Sequence, residues 1–288
     1  MNVKKLVVVG SGTMGAGIGQ LCAQQGIETW ITDVSEDLAQ KGLSKVQKGL
    51  AGRVEKGKMT QAEMDQVMAK LHAAGNLDPV KEADFVIESV VENLEIKQKV
   101  FAELDRLARP GVILATNTTA LSISAIASAT QRPERVVQMH FFNPPVIMKL
   151  CEIMPGKKTS PETLKAAEEL AKALGKEPVV CRNEAPAGIV SRILGAMLNE
   201  ATWLVEHGVA DPKDIDKAMT LGANHPMGPI ALLDLIGLDT HRAKMQTLRR
   251  EVNHPRYDHP KVVDKLIAEK ALGKKVGRGF YDYSEEKK

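Results

Sequence analysis

The chain has 288 residues, 43% of them hydrophobic and 26% charged, with a net charge of +3; that is enough for one large or two ordinary soluble domains and too weakly basic for nucleic acid to be the main ligand. Aromatic residues make up 3%, which leaves few platforms for stacking bases, and no apolar run reaches the roughly 18–20 residues of a membrane span. Cys22, Cys151 and Cys181 lie far apart and outside any CxxC, so neither disulfides nor a metal site is expected, and a reducing cytoplasm fits.

The chain opens with two lysines, LVVV and a glycine-rich turn. The apolar stretch is too short for a signal peptide, so residues 1–10 read as a mature N-terminus on a first strand. Further strands are expected at Glu28–Thr32, Phe85–Glu88, Val112–Thr116 and Arg135–His140. Several are continuously apolar, as in a parallel sheet buried on both faces. Helical patterns cover about 15–25, 36–73, 94–108 and 122–128. The segment 36–73 is too long for a plain crossover. With a break near Gly57 it reads as a helical hairpin, and its lysines (41, 45, 48, 56 and 58) suit either a solvated surface or a ligand. A strand over Met148–Met154 and a helix over 161–174 come next. After Cys181 only helices are expected, at about 186–208, 212–222, 228–247 and 260–271, each opened by a Pro or Asp near its start.

Residues 6–15 read LVVVGSGTMG. Gly10, Gly12 and Gly15 form a GxGxxG between a strand and a helix. The first makes a tight turn, the second admits a pyrophosphate and the third lets helix and strand pack closely. The helix start offers free N–H groups and a positive dipole end. Gly10, Ser11, Gly12, Thr13, Met14 and Gly15 are therefore the expected cofactor cradle. Asp33 closes the second strand about 20 positions on. A carboxylate there accepts from ribose hydroxyls and repels a 2′-phosphate, which favours NAD over NADP. The competing reading is a structural turn with Asp33 capping the next helix. The fold expected is α/β, a Rossmann-type doubly wound, mostly parallel sheet with a helical hairpin insertion over residues 1–184. An all-helical C-terminal domain follows over 185–288.

In such a sheet ligands bind beyond the carboxyl ends of the strands. There stand Glu88 and Glu92, with Lys97 on the next helix, then Asn117, Thr118 and Thr119, then His140 followed by FFNPP. A histidine beside a nicotinamide can take the proton of an alcohol as hydride leaves the same carbon. By period-2 alternation Glu152 shares a face with Met148, Leu150 and Met154. A carboxylate on an apolar face needs a partner, and His140 is the candidate. The alternative is an edge strand on which Glu152 meets water.

The segments GSGTMGAGIG, ESVVENLEIKQKVF, TNTTALSISAIA, HFFNPPVIMKLCEI, NHPMGPIALLDLIGLDT and GRGFYDY resemble the L-3-hydroxyacyl-CoA dehydrogenase family over nearly the whole chain, from about residue 5 to 283. The resemblance implies NAD-dependent interconversion of (S)-3-hydroxyacyl-CoA and 3-ketoacyl-CoA, with a short acyl chain. It implies His140 as catalytic base, Glu152 as its orienter, and Thr119 at the reacting oxygen and the cofactor. Glu92, Lys97, Asn143 and Lys275 match cofactor contacts, Lys56 a CoA contact, and Ser191 a position near the substrate carbonyl. The substrate is expected between the two domains, and the helical half is expected to form a homodimer, with IALLDLIGL (230–238) as a candidate face or else as core of one subunit.

Three departures from the family stand out. Thr119 replaces a serine and keeps its hydroxyl. Ser191 replaces an asparagine and is shorter, so its contact is lost or runs through water. Gly49 replaces a CoA-contacting serine. Two rivals are an oxidoreductase of free hydroxy acids on the same plan, many of which use lysine for proton transfer, and a non-catalytic relative like the lens crystallins. The His140–Glu152 pair argues against both, and the basic hairpin against the first.

Overall fold

In the computed structural model, which describes residues 3–287, the apolar runs of the first half become the interior strands of one sheet. In chain order the sheet's strands are β1 (Lys5–Val9), β2 (Glu28–Thr32), β3 (Leu71–Ala74), β4 (Phe85–Glu88), β5 (Ile113–Thr116), β6 (Val136–Phe141), β7 (Leu150–Pro155) and β8 (Glu177–Val180). They lie in the order β3-β2-β1-β4-β5-β6-β7-β8. All neighbours are parallel except β6 and β7, which are antiparallel. The order reverses between β1 and β4, the kind of crevice where open α/β sheets bind ligands.

β4, β5 and β6 are buried at every position, which is why their sequences show no alternation. Two hydrophobic clusters cover the faces of this part of the sheet, one around Leu6, Phe85 and Met139 and one around Val7, Phe101 and Leu114. Each fully buried Leu, Ile or Phe side chain contributes roughly 1.5–3 kcal/mol. The helices of this unit are α1 (Thr13–Gln24), α2 (Glu36–Glu55), α3 (Gln61–Met68), α4 (Leu94–Leu107), α5 (Ile123–Ala127) and α6 (Pro161–Ala173).

The hairpin is α2 and α3. Ser35 caps α2 by accepting from the Leu38 N–H, and Thr60 and Glu63 form a capping box on α3. Ala39, Gly42, Val46 and Leu50 recur at helical spacing and face inward, while Lys41, Lys45 and Lys48 are exposed. The chain does not stay helical to residue 73, because Leu71–Ala74 forms the edge strand β3 beside β2. LHAA carries no β-branched residue and only four positions, so nothing local marks it as a strand. The edge strand β8 is the second difference from expectation. Its EPVV is largely exposed and starts with Glu-Pro, a composition tolerated at a sheet edge.

One compact unit runs to Ala185 and a second starts at Pro186. The second holds α7 (Val190–Glu206), α8 (Pro212–Gly222), α9 (Pro229–Ile236), α10 (Leu238–Val252) and α11 (Lys261–Ala268). The expected single helix over 228–247 is two, broken at Gly237. Ile230, Leu233 and Leu238 of the run IALLDLIGL are fully buried in this unit's own core, and Leu235 is 53% exposed. Most of that run is therefore core.

The motif GRGFYDY closes onto this core. Buried Asp234 accepts from the Phe280 and Tyr281 N–H groups and the Tyr283 hydroxyl, and Asp216 accepts from the Tyr281 hydroxyl and two N–H groups opening α9. A Cβ on Gly279 would stand 2.1 Å from an Asp234 oxygen, so only glycine fits. Burial raises the Asp234 carboxyl above its usual range, against these hydrogen bonds.

Candidate active site

The glycine turn leaves β1 and enters α1. A Cβ on Gly15 would lie 1.8 Å from the Gly10 carbonyl oxygen, whereas one on Gly12 would meet nothing within 4 Å. The third glycine is thus needed for packing, and the second leaves open space over the turn. Gly12 caps α1 without any side-chain hydrogen bond, so the N–H groups at the helix start remain available to an anion. Asp33 takes the N–H (2.8 Å) and hydroxyl (2.6 Å) of Ser11 on one oxygen and the Val34 N–H on the other. Burial alone would raise its pKa, but the Ser11 and Val34 hydrogen bonds outweigh it and hold the carboxyl below its ordinary range. A cavity of about 440 Å³ opens beside it, lined by Ser11, Gly12, Asp33, Leu38, Lys41 and Lys45. An open glycine turn, an uncapped helix start and an anionic carboxylate beside a cavity fit the pyrophosphate and adenosine ribose of NAD.

His140 and Glu152 sit directly opposite each other in the antiparallel β6–β7 pair. Their side chains meet, His140 Nδ1 lying 3.1 Å from Glu152 Oε2. Both are buried, at 6% and 1% exposure. β7 is not an edge, because β8 pairs with its far side. An ionised carboxylate only accepts, so Nδ1 carries the proton and Nε2 keeps a lone pair, a tautomer assigned from the partners. Nε2 lies 3.3 Å from the Thr119 hydroxyl, and the Phe142 ring stands 4.6 Å from the imidazole.

Side-chain hydrogen bonds fix the end of β6 and the chain that follows it. Phe141 N–H donates to Asn117, and the buried Lys176 ammonium donates to the carbonyls of Pro145 (2.5 Å) and Met148 (2.9 Å). Burial lowers the pKa of Lys176. Asn143 lies in this loop and is exposed.

Glu92 and Lys97 reach the site in different ways. One Glu92 oxygen accepts from the Thr118 hydroxyl (2.7 Å) and from the N–H groups of Thr119 and Ala120 (2.9 Å each). Lys97, expected to touch the cofactor, is 1% exposed and turned inward onto Glu88 at 2.6 Å. The structure therefore brings together Gly10–Gly15, Asp33, Glu92, Thr119, His140 and Glu152 at the carboxyl ends of the strands. Gln138 and Lys176 also serve this region without having been singled out, and Glu88, expected at the strand end, is turned onto Lys97. Gln138 is a polar residue on a strand that is buried at every position, which is the signal that could have found it; Lys176, between Gly175 and Glu177, carries no such signal.

Residues 5–185 match the model of the 3-hydroxyacyl-CoA dehydrogenase NAD binding domain, and residues 189–283 match that family's C-terminal domain. The chain belongs to the 3-hydroxyacyl-CoA dehydrogenase family. A probable 3-hydroxybutyryl-CoA dehydrogenase of Bacillus subtilis is 43% identical over 286 residues, covering 99% of both chains. The human mitochondrial hydroxyacyl-coenzyme A dehydrogenase is 39% identical, over 98% of this chain and 91% of its own. The crystal structure of (S)-3-hydroxybutyryl-CoA dehydrogenase from Ralstonia eutropha superposes with a TM-score of 0.93 at 40% identity, covering 98% of this chain and 100% of that one.

As a 3-hydroxyacyl-CoA dehydrogenase the chain is an NAD-dependent oxidoreductase. Its remaining expected contacts lie on other elements. Lys56 is an exposed C-cap residue of α2. In the helical unit Ser191 lies in the first turn of α7, half-buried, and Lys275 is exposed and paired with Asp239 at 2.6 Å.

Proposed function

We propose that the chain interconverts 3-hydroxybutyryl-CoA and acetoacetyl-CoA, with His140 as the base, Glu152 as its orienter and Thr119 at the reacting oxygen. The observation that carries this reading is the line from buried Glu152 and His140 to half-buried Thr119, with hydrogen-bond contacts of 3.1 and 3.3 Å. Relatives named for 3-hydroxybutyryl-CoA at 40–43% identity support the short chain. Bound NAD supplies the acceptor for the C3 hydride. His140 Nε2, free to accept because Nδ1 is committed to Glu152, takes the 3-hydroxyl proton. Glu152 then offsets the imidazolium charge, as the acid does in a catalytic triad. The Thr119 hydroxyl, already in reach of Nε2, is available to donate to the substrate oxygen. General-base action of this kind contributes about 10²–10⁴ in rate. In reverse, His140 returns the proton to the ketone oxygen.

The other assignments belong to the same reading. Glycine-turn N–H groups hold the pyrophosphate, Asp33 the adenosine ribose, and Glu92, Asn143 and Lys275 the nicotinamide side. Lys56 attracts the CoA phosphates, and Ser191 stands near the substrate carbonyl. Exposed Ile193, Trp203, Leu221 and Leu235 on the helical unit support a homodimer, which light scattering on the purified protein would test. Three free cysteines support a reducing compartment such as the cytoplasm. The Cys22 and Cys151 thiols are pushed up to about 12 by burial and are inert at neutral pH.

The deciding experiment follows NADH oxidation with acetoacetyl-CoA beside free acetoacetate and longer 3-ketoacyl-CoA thioesters. Fast turnover confined to the short thioester is expected. Preference for free acetoacetate would sink the CoA assignment, and preference for a long chain would sink the short-chain one.

A further inference from the structure

The buried ion pair behind the site has no place in the chemistry above. Lys97 and Glu88 are 1% and 0% exposed and meet at 2.6 Å. The Lys97 ammonium also donates to the Val90 carbonyl at 3.3 Å and lies 3.7 Å from Glu92 Oε2. The ammonium thus has two hydrogen-bond acceptors and a second carboxylate within ion-pair distance. Two charges are removed from water here, which is unfavourable unless geometry and further hydrogen bonds compensate. Glu88 is satisfied accordingly. Oε1 also takes the Val90 N–H at 2.6 Å, and Oε2 takes the Thr116 hydroxyl at 2.7 Å.

What the pair holds in place is the loop that carries Thr119. Glu92 has one oxygen toward Lys97 and the other on Thr118, Thr119 and Ala120. The Thr116 hydroxyl, bound to Glu88, accepts the Thr118 N–H at 3.2 Å. From the other side Gln138, buried on β6, donates to the Thr118 carbonyl at 2.6 Å. The loop is thus tied at three consecutive residues, and the first two ties end on Glu88. The Thr119 hydroxyl then meets His140.

We propose that Glu88 is a positioning residue for the dehydrogenase reaction: it neutralises Lys97 in the core, Lys97 fixes Glu92, and Glu92 fixes the Thr118–Ala120 loop that presents the Thr119 hydroxyl to His140. This rests on the reading of His140 as base and Thr119 as its neighbour at the reacting oxygen. A displacement of a reacting group by about 1 Å can cost roughly 10²-fold in rate, so holding the Thr118–Ala120 loop in place holds the rate.

The test uses the double variant Glu88→Gln/Lys97→Met, which removes both charges together and leaves neither stranded. Three quantities are read: thermal unfolding, the pH at which His140 titrates by ¹⁵N NMR in the protein alone, and kcat and KM with acetoacetyl-CoA and NADH. A folded variant is expected whose His140 titration has moved and whose kcat is lower by about 10–100-fold, with a smaller change in KM for the thioester. A folded variant with wild-type kcat and wild-type His140 titration would overturn the proposal. So would a kcat that falls only in proportion to the unfolded fraction, because then the pair serves stability alone. If the double variant does not fold, Glu92→Gln provides the same reading from the 40% exposed end of the chain of contacts. It keeps an acceptor for the loop N–H groups and loses the charge facing Lys97. A shift of His140 titration with lowered kcat supports the relay, and no change in either overturns it. If the wild type turns over no 3-ketoacyl-CoA, the substrate reading fails, while the His140 titration still decides the relay.

Discussion

Two buried histidines, one in each unit, have opposite fates. His140 in the sheet is 6% exposed and His241 on α10 is 0% exposed, so burial does not distinguish them. Their partners do. His140 has a carboxylate on Nδ1 and a hydroxyl on Nε2. His241 has only the amide oxygen of Asn199 at Nε2 (3.0 Å), and its Nδ1 meets no hydrogen-bonding group among the described residues. Burial, helped by the nearby Lys244 and His259 charges, pushes His241 down to about 3. An imidazole with an anion behind it can take a proton and keep it. One with a neutral amide behind it stays neutral and serves as a packing piece. The lesson is that the chemistry of a buried histidine is decided by what stands behind the second nitrogen.

The largest expected effect breaks the first member of the pair. His140→Ala should lower kcat by about 10²–10⁴ while the circular dichroism spectrum and NADH affinity stay close to wild type; a fall of less than tenfold would remove His140 as base. Glu152→Gln tests the anion itself. A glutamine can donate to Nδ1 and force the wrong tautomer, so kcat should fall by roughly 10²–10⁴ with the side chain's volume unchanged. If kcat survives, the carboxylate is a structural partner only.

Next comes the second histidine. His241→Gln should leave kcat at the wild-type value and cost about 1–3 kcal/mol of stability in urea unfolding, the range for disturbing a buried hydrogen-bonded group. It should also flatten a pH dependence. The unfolded His241 protonates near 6.5 and the folded one only near 3. Between these values the unfolded state binds the extra proton, so wild-type stability falls as pH falls from about 6.5 toward 3. The slope from this group is at most about 1.4 kcal/mol per pH unit. Equal slopes in the variant and the wild type would show that other groups carry the acid sensitivity.

The smallest effect concerns a surface charge. Lys56→Glu should raise KM for the thioester by about two- to tenfold and leave KM for NADH unchanged. An equal rise in both, or none, would take the hairpin lysine out of substrate binding.

The sequence was most legible where one physical signal repeats. β2 and β4 fall on the expected Glu28–Thr32 and Phe85–Glu88, because continuous apolar runs between turns have few other uses. The GxGxxG turn and Asp33 were readable because each position has its own steric or electrostatic requirement. β3 and β8 were not, since LHAA and EPVV sit at sheet edges, where partners in the fold and not local composition make the strand. At the site, period-2 alternation was enough to propose that Glu152 faces His140. The inward turn of Lys97 was beyond reach, because a lysine on a helix face gives no sign of whether its ammonium ends in water or on a carboxylate from a neighbouring strand. For the same reason nothing in the sequence marks Glu88 as the partner of Lys97.

The pairing of β6 with β7 has one further consequence. His140 and Glu152 are separated by only 12 positions and face each other across adjacent antiparallel strands. The proposed proton acceptor and its counter-charge are therefore specified by one contiguous stretch of about a dozen codons. A recombination event anywhere outside that stretch carries both or neither, so the substrate-reading parts of such a chain can be exchanged over generations without separating the two halves of its chemistry.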